Sequence, residues 1–153
     1  MAAAAITPWR FIAAGFGSGW APKAPGTFGS LVGLAIGCLL LPAGHLALLA
    51  GIVAATALGI HAIGKLPEAS EDPGWIVIDE IAGQMIPLLA LAGFNIWGAL
   101  LAFALFRLFD IWKPWPVDWA DRRRDEYGIM GDDIIAGLLA LAVLLILHLV
   151  LPL

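Results

Sequence analysis

A pair of adjacent carboxylates inside a long apolar run is the feature that most constrains this chain. Asp79 and Glu80 lie in the stretch from Trp75 to Phe94, which is otherwise interrupted only by Gln84 and Pro87. A stretch of this length can cross a bilayer core of about 30 Å. Ionised acids at that depth cost about 2.5–3.5 kcal/mol each, so they are rare there without a partner or a function. The stretch therefore predicts a metal or proton site, or an acidic pair that is solvated or salt-bridged at the membrane boundary.

The composition of the whole chain agrees with a membrane setting. Hydrophobic residues make up 61% of the 153 residues, and the mean hydropathy is +0.94. A typical soluble domain contains about 45–50% apolar residues. The length suits one domain, residues 1–153. The net charge of −4 comes without a basic tail, which argues against nucleic acid as a partner. Cys38 is the only cysteine in the sequence, so we expect neither a disulfide framework nor a cysteine-based metal site.

Five apolar stretches predict an all-α, polytopic membrane fold with about five transmembrane helices. They cover residues 28–44, 46–64, 75–94, 95–112 and 134–151. Polar or turn-forming residues separate them, which is typical of helices that cross a membrane in alternating directions.

The N-terminal segment predicts a short interfacial helix followed by a loop rich in glycine and proline. The helix is expected from about Pro8 to Ala14. The loop exposes backbone N–H groups that can bind an anion. Lys23 adds a positive charge, and Thr27 adds a hydroxyl at the start of the next helix, where phosphate is favoured. An ordinary linker, with Thr27 or Ser30 capping that helix, explains the same residues equally well.

Two further polar groups lie at the ends of apolar stretches. Arg107, Asp110 and Lys113 follow one another at intervals of three residues, so neighbouring members are expected to meet on one helical face. A simple ion pair between Arg107 and Asp110 is the alternative, although it leaves Lys113 unexplained. Asp132 and Asp133 precede the last apolar stretch, where they could cap a helix or bind a metal.

The distribution of charge predicts a single polar site on one side of the membrane. All eight Lys and Arg residues and all twelve Asp and Glu residues lie on or near the same side of the five stretches. Basic residues concentrate on the cytoplasmic side of membrane proteins, so we expect this side to face the cytoplasm. Every candidate group lies at that boundary, at the level of the inner headgroups.

The residue types at this boundary indicate the chemistry that they support. Carboxylates from separate segments form an oxygen-rich ligand set, which suits Mg²⁺ or Mn²⁺ rather than zinc. Cations and a glycine-rich loop beside them suit a phosphate. Together they predict phosphoryl chemistry on a lipid, with a metal-activated water as nucleophile and a carboxylate as base. A small cation transporter or a non-catalytic membrane subunit could use the same acids. A transport relay, however, would distribute them through the depth of the bilayer.

Four motifs of this chain resemble the phosphatidylglycerophosphatase A family. They cover residues 21–30, 72–83, 106–116 and 131–137, and they read APKAPGTFGS, DPGWIVIDEIAG, FRLFDIWKPWP and GDDIIAG. The resemblance implies an all-helical, Mg²⁺-dependent phosphatase of the bacterial inner membrane. Its implied reaction converts the membrane lipid phosphatidylglycerophosphate to phosphatidylglycerol and inorganic phosphate.

We assign the candidate residues to three overlapping roles. The predicted catalytic residues are Asp79, Glu80, Asp110 and Asp133. The predicted metal ligands are Asp79, Glu80, Asp132 and Asp133. The predicted phosphate-binding residues are Lys23, Thr27, Arg107 and Lys113. The division of the carboxylates between ligand and base stays open at this point.

Overall fold

A computed structural model describes residues 5–151 of the chain, and all regular structure in that range is helical. The α-helices are α1 Pro8–Ala13, α2 Pro25–Leu40, α3 His45–Ile63, α4 Ile78–Met85, α5 Ile96–Trp112, α6 Val117–Asp121 and α7 Glu126–Val150. Short 3₁₀ segments occur at Ser18–Trp20, Leu41–Ala43, Pro67–Glu71 and Ile86–Ala90. The predicted all-α class is confirmed for the described residues. Residues 1–4 and 152–153 of the predicted single domain lie outside them.

Three helical segments are long and apolar enough to cross a membrane. They are Pro25–Ala43, which combines α2 with the 3₁₀ segment after it, then His45–Ile63 and Glu126–Val150. The protein is therefore a membrane protein with three candidate spans where the sequence predicts about five. Helix α5 has 17 residues, which corresponds to a length of about 26 Å at 1.5 Å per residue.

The stretch from Trp75 to Phe94 is not one long helix, in contrast to the sequence prediction. Its α-helical part ends at Met85 and continues as a 3₁₀ segment to Ala90. The change coincides with Pro87, which has no N–H group for α-helical hydrogen bonding. The combined unit is about 22 Å long, which is shorter than a bilayer core. Helices α2, α3, α5 and α7 all contact α4, and its side chains are almost all buried. Thus α4 is the central helix of the bundle.

Glycines allow the neighbouring helices to approach the backbone of α4. A Cβ atom at Gly33 of α2 would lie 2.5 Å from a backbone oxygen of α4. A Cβ atom at Gly83 of α4 would lie 2.6 Å from the carbonyl oxygen of Asp133. A Cβ atom at Gly137 of α7 would lie similarly close to the carbonyl oxygen of Gly83. Side chains cannot occupy these positions without a shift of the helices. The glycine contacts therefore hold α4 tightly between α2 and α7.

Helix α1 confirms the predicted short N-terminal helix, and it packs across the end of the bundle where α4 begins. Ala13 accepts a hydrogen bond from the backbone N–H of Val77 at 2.9 Å. Arg10 pairs with Glu68 at 2.6 Å. These contacts connect α1 to the segment that leads into α4. The location of α1 in the membrane interface stays a prediction.

Candidate active site

Three aspartates form the centre of the candidate site. Asp79 lies in the first turn of α4, and Asp132 and Asp133 lie in the second turn of α7. One carboxylate oxygen of each residue lies within 4.8 Å of those of the other two. All three residues are buried, and Asp79 Oδ1 has no hydrogen-bond partner among the described residues. Carboxylates this close repel one another when ionised, and a hard divalent cation bound by oxygen ligands relieves that repulsion.

The position of the two aspartates in α7 excludes the capping role that the sequence left open. The helix begins at Glu126, eight residues before the predicted apolar stretch. Its cap is Asp125, whose side chain accepts a hydrogen bond from Gly128 N at 2.9 Å. Asp132 and Asp133 therefore lie within the helix. Asp132 Oδ1 accepts a hydrogen bond from the backbone N–H of Asp133 at 2.9 Å, and its second oxygen faces the site.

Glu80 follows Asp79 in the chain but lies on a different side of α4, because successive helical residues are about 100° apart. A Cβ atom at Gly26, in the first turn of α2, would lie 2.6 Å from Glu80 Oε1 and 3.4 Å from Arg107 Nη1. Glu80 Oε2 is buried and has no hydrogen-bond partner among the described residues. The charged neighbours of Glu80 include Asp110 and Arg107. Glu80 thus connects the aspartate cluster with α2 and α5.

Arg107 and Asp110 meet one turn apart on α5, as their spacing predicts. Arg107 donates to Asp110 and, at 3.5 Å, to the hydroxyl of Ser30 on α2. Asp110 is in turn a charged neighbour of Asp133. The intrahelical ion pair that the sequence left as an alternative is therefore present, and it lies directly beside the aspartate cluster.

Lys113 turns away from the two other members of its group. Helix α5 ends at Trp112, and Lys113 has a left-handed backbone conformation with φ of 52°. Its ammonium group donates to Asp132 Oδ2 at 2.7 Å and to Asp121 Oδ1 at 2.6 Å. The expectation that Asp110 and Lys113 meet on one helical face is wrong, because the helix ends before Lys113.

The two ion pairs of Lys113 change the protonation behaviour of the groups at the edge of the site. Burial lowers the pKa of Lys113, but the hydrogen bonds and charges of Asp121 and Asp132 outweigh it, so this pKa is raised overall. Partial burial raises the pKa of Asp121, and the contact with Lys113 outweighs that effect, so this pKa is lowered. Both groups are therefore charged at neutral pH. Asp121, in the short helix α6, is a site neighbour that sequence reasoning missed, because it is one of several acids in a hydrophilic segment.

The predicted phosphate-binding residues of the N-terminal loop lie at or just before the start of α2. Thr27 is half-buried in the first turn of α2, and Lys23 is exposed two residues before the helix. The residue at the N-cap is Ala24, and within the described chain no side chain caps α2. Ser30 donates instead to the carbonyl oxygen of Gly26 at 2.8 Å. The alternative in which Thr27 or Ser30 caps the helix is therefore wrong.

The structure brings most of the candidate residues into one connected group at a single end of the bundle. Seven of them form it through the contacts described above: Asp79, Glu80, Arg107, Asp110, Lys113, Asp132 and Asp133. Thr27 is next to Gly26, which contacts this group. Lys23 has no hydrogen bond or ion pair among the described residues.

A bundle of apolar helices that holds buried carboxylates and cations together at one end is an integral membrane protein with a candidate metal-binding active site. A family model described as phosphatidylglycerophosphatase A matches residues 11–148. The chain belongs to the phosphatidylglycerophosphatase A family, and it is thereby a homologue of lipid phosphatases that act on phosphomonoesters. The family and enzyme class predicted from the four motifs are confirmed.

Individual relatives support this membership along most of their length. The chain is 38% identical to the phosphatidylglycerophosphatase A of Escherichia coli over 143 residues, which cover 90% of this chain and 81% of that protein. It is 39% identical to the phosphatidylglycerophosphatase A of Haemophilus influenzae over 142 residues, covering 90% and 87%. A Bacteroides thetaiotaomicron protein titled "Putative phosphatidylinositol-3-phosphatase" is 43% identical over 136 residues, covering 82% and 84%. The comparison with solved structures gave no significant match.

Proposed function

We propose that this protein hydrolyses the terminal phosphomonoester of phosphatidylglycerophosphate and releases phosphatidylglycerol and inorganic phosphate. The observation that carries the proposal is the buried cluster of Asp79, Asp132 and Asp133, with Arg107 and Lys113 beside it. Membership in a family named for this reaction supports the choice of substrate. We also propose that residues 1–153 form a single membrane-embedded domain that carries out this reaction.

We propose Mg²⁺ as the cofactor, with Asp79, Asp132 and Asp133 as its ligands and Glu80 as a further ligand candidate. The donor set contains only carboxylate oxygens, which suits a hard cation. Asp79 Oδ1 is also buried without a protein partner among the described residues, so it is available to a metal. When bound, the ion supplies positive charge that offsets the carboxylates and polarises the phosphoryl group.

The remaining candidate residues divide between binding the phosphate and moving a proton. Arg107 and Lys113 offer charged N–H donors, which bind phosphate oxygens strongly. Lys23 and Thr27 lie before and within the first turn of α2, where the helix dipole favours an anion. Glu80 is the preferred base, because its Oε2 atom has no partner among the described residues and can accept a proton from the attacking water.

Asp110 is the second candidate for proton transfer. It lies beside Asp133, but it already accepts a hydrogen bond from Arg107. That contact occupies one of its carboxylate oxygens, so Asp110 is less available than Glu80 to accept a proton from the attacking water.

We also propose that the site faces the cytoplasm from the bacterial inner membrane. In this topology α5, and α4 together with the 3₁₀ segment that follows it, complete about five membrane crossings. The concentration of Lys and Arg residues at the end of the bundle that holds the site supports this orientation. Cysteines introduced at Ala43 and Gly93, in a Cys38→Ser background, should react with an impermeant thiol reagent from outside the cell. Cysteines at Glu68 and Arg122 should not. Labelling at all four positions from one side would contradict this topology.

A second phosphomonoester lipid, one with an inositol headgroup, has to be compared directly with phosphatidylglycerophosphate as a substrate. The Bacteroides thetaiotaomicron relative carries the name of a phosphatase that acts on a phosphorylated inositol lipid. Both lipids present a phosphomonoester at the headgroup level, and the same cluster of acids and cations suits either of them. Their relative turnover decides which headgroup the protein prefers.

The decisive experiment measures phosphate release by the purified protein in detergent, with each lipid, in Mg²⁺ and in a chelator. We expect Mg²⁺-dependent release, faster with phosphatidylglycerophosphate. Asp79→Asn, Glu80→Gln and Asp133→Asn each remove a ligand or base but little volume, so each should abolish turnover in a folded protein. Near-normal turnover in two of these three variants would show that the site is wrongly placed. Absence of release from both lipids would refute the proposed function.

A further inference from the structure

Gln84 is a buried amide that the proposed reaction does not use. Its side chain is fully buried on α4. Neither Gln84 Nε2 nor Gln84 Oε1 has a hydrogen-bond partner among the described residues. Burying an unpaired amide is costly compared with burying an apolar side chain of the same size. Packing alone therefore does not explain glutamine at this position.

The position of Gln84 relates it to Glu80. The two residues are four apart on α4, so they lie on the same helical face, one turn from each other. Glu80 lies against Gly26 at the start of α2, whereas a Cβ atom at Gly33 would lie 3.1 Å from the Cβ atom of Gln84. Both side chains thus face the same glycine-containing surface of α2.

A hydroxyl lies between these two glycines. Ser30 is fully buried on α2, and its hydroxyl donates to the carbonyl oxygen of Gly26 and accepts from Arg107. Glu80, Ser30 and Gln84 therefore form a row of polar groups that runs from the candidate site into the bundle. Two members of this row, Glu80 and Gln84, have buried polar atoms without a partner among the described residues.

We propose that Gln84 is a positioning residue that binds an internal water molecule shared with Glu80. A buried water is retained when it makes two to four hydrogen bonds to polar groups that are otherwise unsatisfied. The amide of Gln84 and Oε2 of Glu80 provide such groups. The amide can donate one hydrogen bond and accept another, and Oε2 has a second lone pair that stays free for the proton of the attacking water. The water holds the Glu80 carboxylate in the orientation needed at the reacting phosphate. This inference rests on the proposed function, in which Glu80 acts as base.

Gln84→Met tests the role, because methionine has nearly the same length and volume but cannot hold the water. A positioned general base typically contributes about 100–10,000-fold to the rate. We therefore expect kcat to fall by at least about tenfold when the base loses its orientation, while KM and the affinity for Mn²⁺ stay close to wild type. The midpoint of unfolding should stay equal or rise. Gln84→Asn retains an amide and leaves room for a second water, so it should keep more activity than Gln84→Met.

Met85→Leu is the matched control, since it changes a buried side chain next to Gln84 without changing any polar group. We expect wild-type kcat from it. Wild-type kcat in Gln84→Met would overturn the inference. So would an equal loss in Met85→Leu, or a Gln84→Met protein that does not fold, because either result would give the amide a structural role. An inactive wild-type protein would refute the proposed function, whereas an active Gln84→Met protein refutes only the positioning role.

Discussion

Replacing Gly83 with alanine tests the contact that sets the spacing of the aspartate cluster. The added Cβ atom would lie 2.6 Å from the carbonyl oxygen of Asp133 and 2.7 Å from a ring carbon of Phe106. Ordinary van der Waals contact begins at 3.4 Å. Helices α4 and α7 therefore have to separate by about 0.8 Å, the difference between 2.6 and 3.4 Å. Asp79 moves with α4 and Asp133 moves with α7, so the separation acts directly on the candidate metal site.

The effect on stability should be smaller than the effect on activity. Overpacking a well-packed interior costs about 1–3 kcal/mol, and alanine in place of glycine within a helix recovers about 0.5–1 kcal/mol. We expect a net loss of about 0–2.5 kcal/mol in the free energy of unfolding. Metal–ligand distances tolerate only about 0.2 Å of change, and a misplacement of 1 Å can cost about 100-fold in rate. Turnover and Mn²⁺ affinity should therefore each fall by about 10–100-fold.

Gly131→Ala is the matched control, because it makes the same change one residue before Asp132. The nearest atom to its added Cβ is the Cβ of Ala120 at 3.9 Å, which is an ordinary contact. This variant should keep wild-type turnover and gain up to about 1 kcal/mol of stability from the better helix former. Phosphate release, Mn²⁺ binding and denaturant unfolding in detergent measure the three quantities. Wild-type turnover and Mn²⁺ affinity in Gly83→Ala would refute the reasoning, as would an equal loss of turnover in Gly131→Ala.

Two further predictions concern the cations of the site. Replacing Arg107 and Asp110 together by Met and Leu should leave a folded, inserted protein, because exchanging a whole buried ion pair for packed apolar side chains is often neutral. It should nevertheless abolish phosphate release, and an active double variant would give this pair a structural role. The lowered pKa of Asp121 means that its pairing with Lys113 stabilises the fold above the ordinary pKa of 3.8 and is lost as the pH falls through the lower folded value. The unfolding midpoint of Asp121→Asn should therefore lie below that of wild type at pH 7 and approach it in acid, and a difference that does not shrink would contradict this explanation.

The amino-acid sequence by itself determined the fold class, the family and the bounds of α1, α3 and α5 to within about one residue, because these depend on local properties of the chain. The stretch predicted at residues 46–64 forms α3 at His45–Ile63, and the stretch at 95–112 forms α5 at Ile96–Trp112. Asn95 marks the start of α5 by accepting hydrogen bonds from the backbone N–H groups of residues 97 and 98. Length, apolar composition and capping residues carry this information without reference to the rest of the molecule.

The central position of α4 was decided only by the tertiary structure. Its apolar sequence predicts a transmembrane helix, because side chains buried against protein and side chains facing lipid have the same composition. The contacts of Gly83 and Gly137 make the difference, since they hold the backbones of α4 and α7 together. The same packing groups Asp79 with Asp133, which are far apart in the chain.

The partners of individual charges likewise required the tertiary structure. Spacing alone placed Lys113 with Asp110, but the end of α5 turns its ammonium group towards Asp121 and Asp132. Spacing placed Asp79 and Glu80 on different sides of α4, but only the packing shows that Glu80 meets α2 and Asp79 meets the two aspartates of α7. Helical periodicity fixes which residues share a face of one helix. The helix that the face meets depends on turns and packing that involve the whole chain.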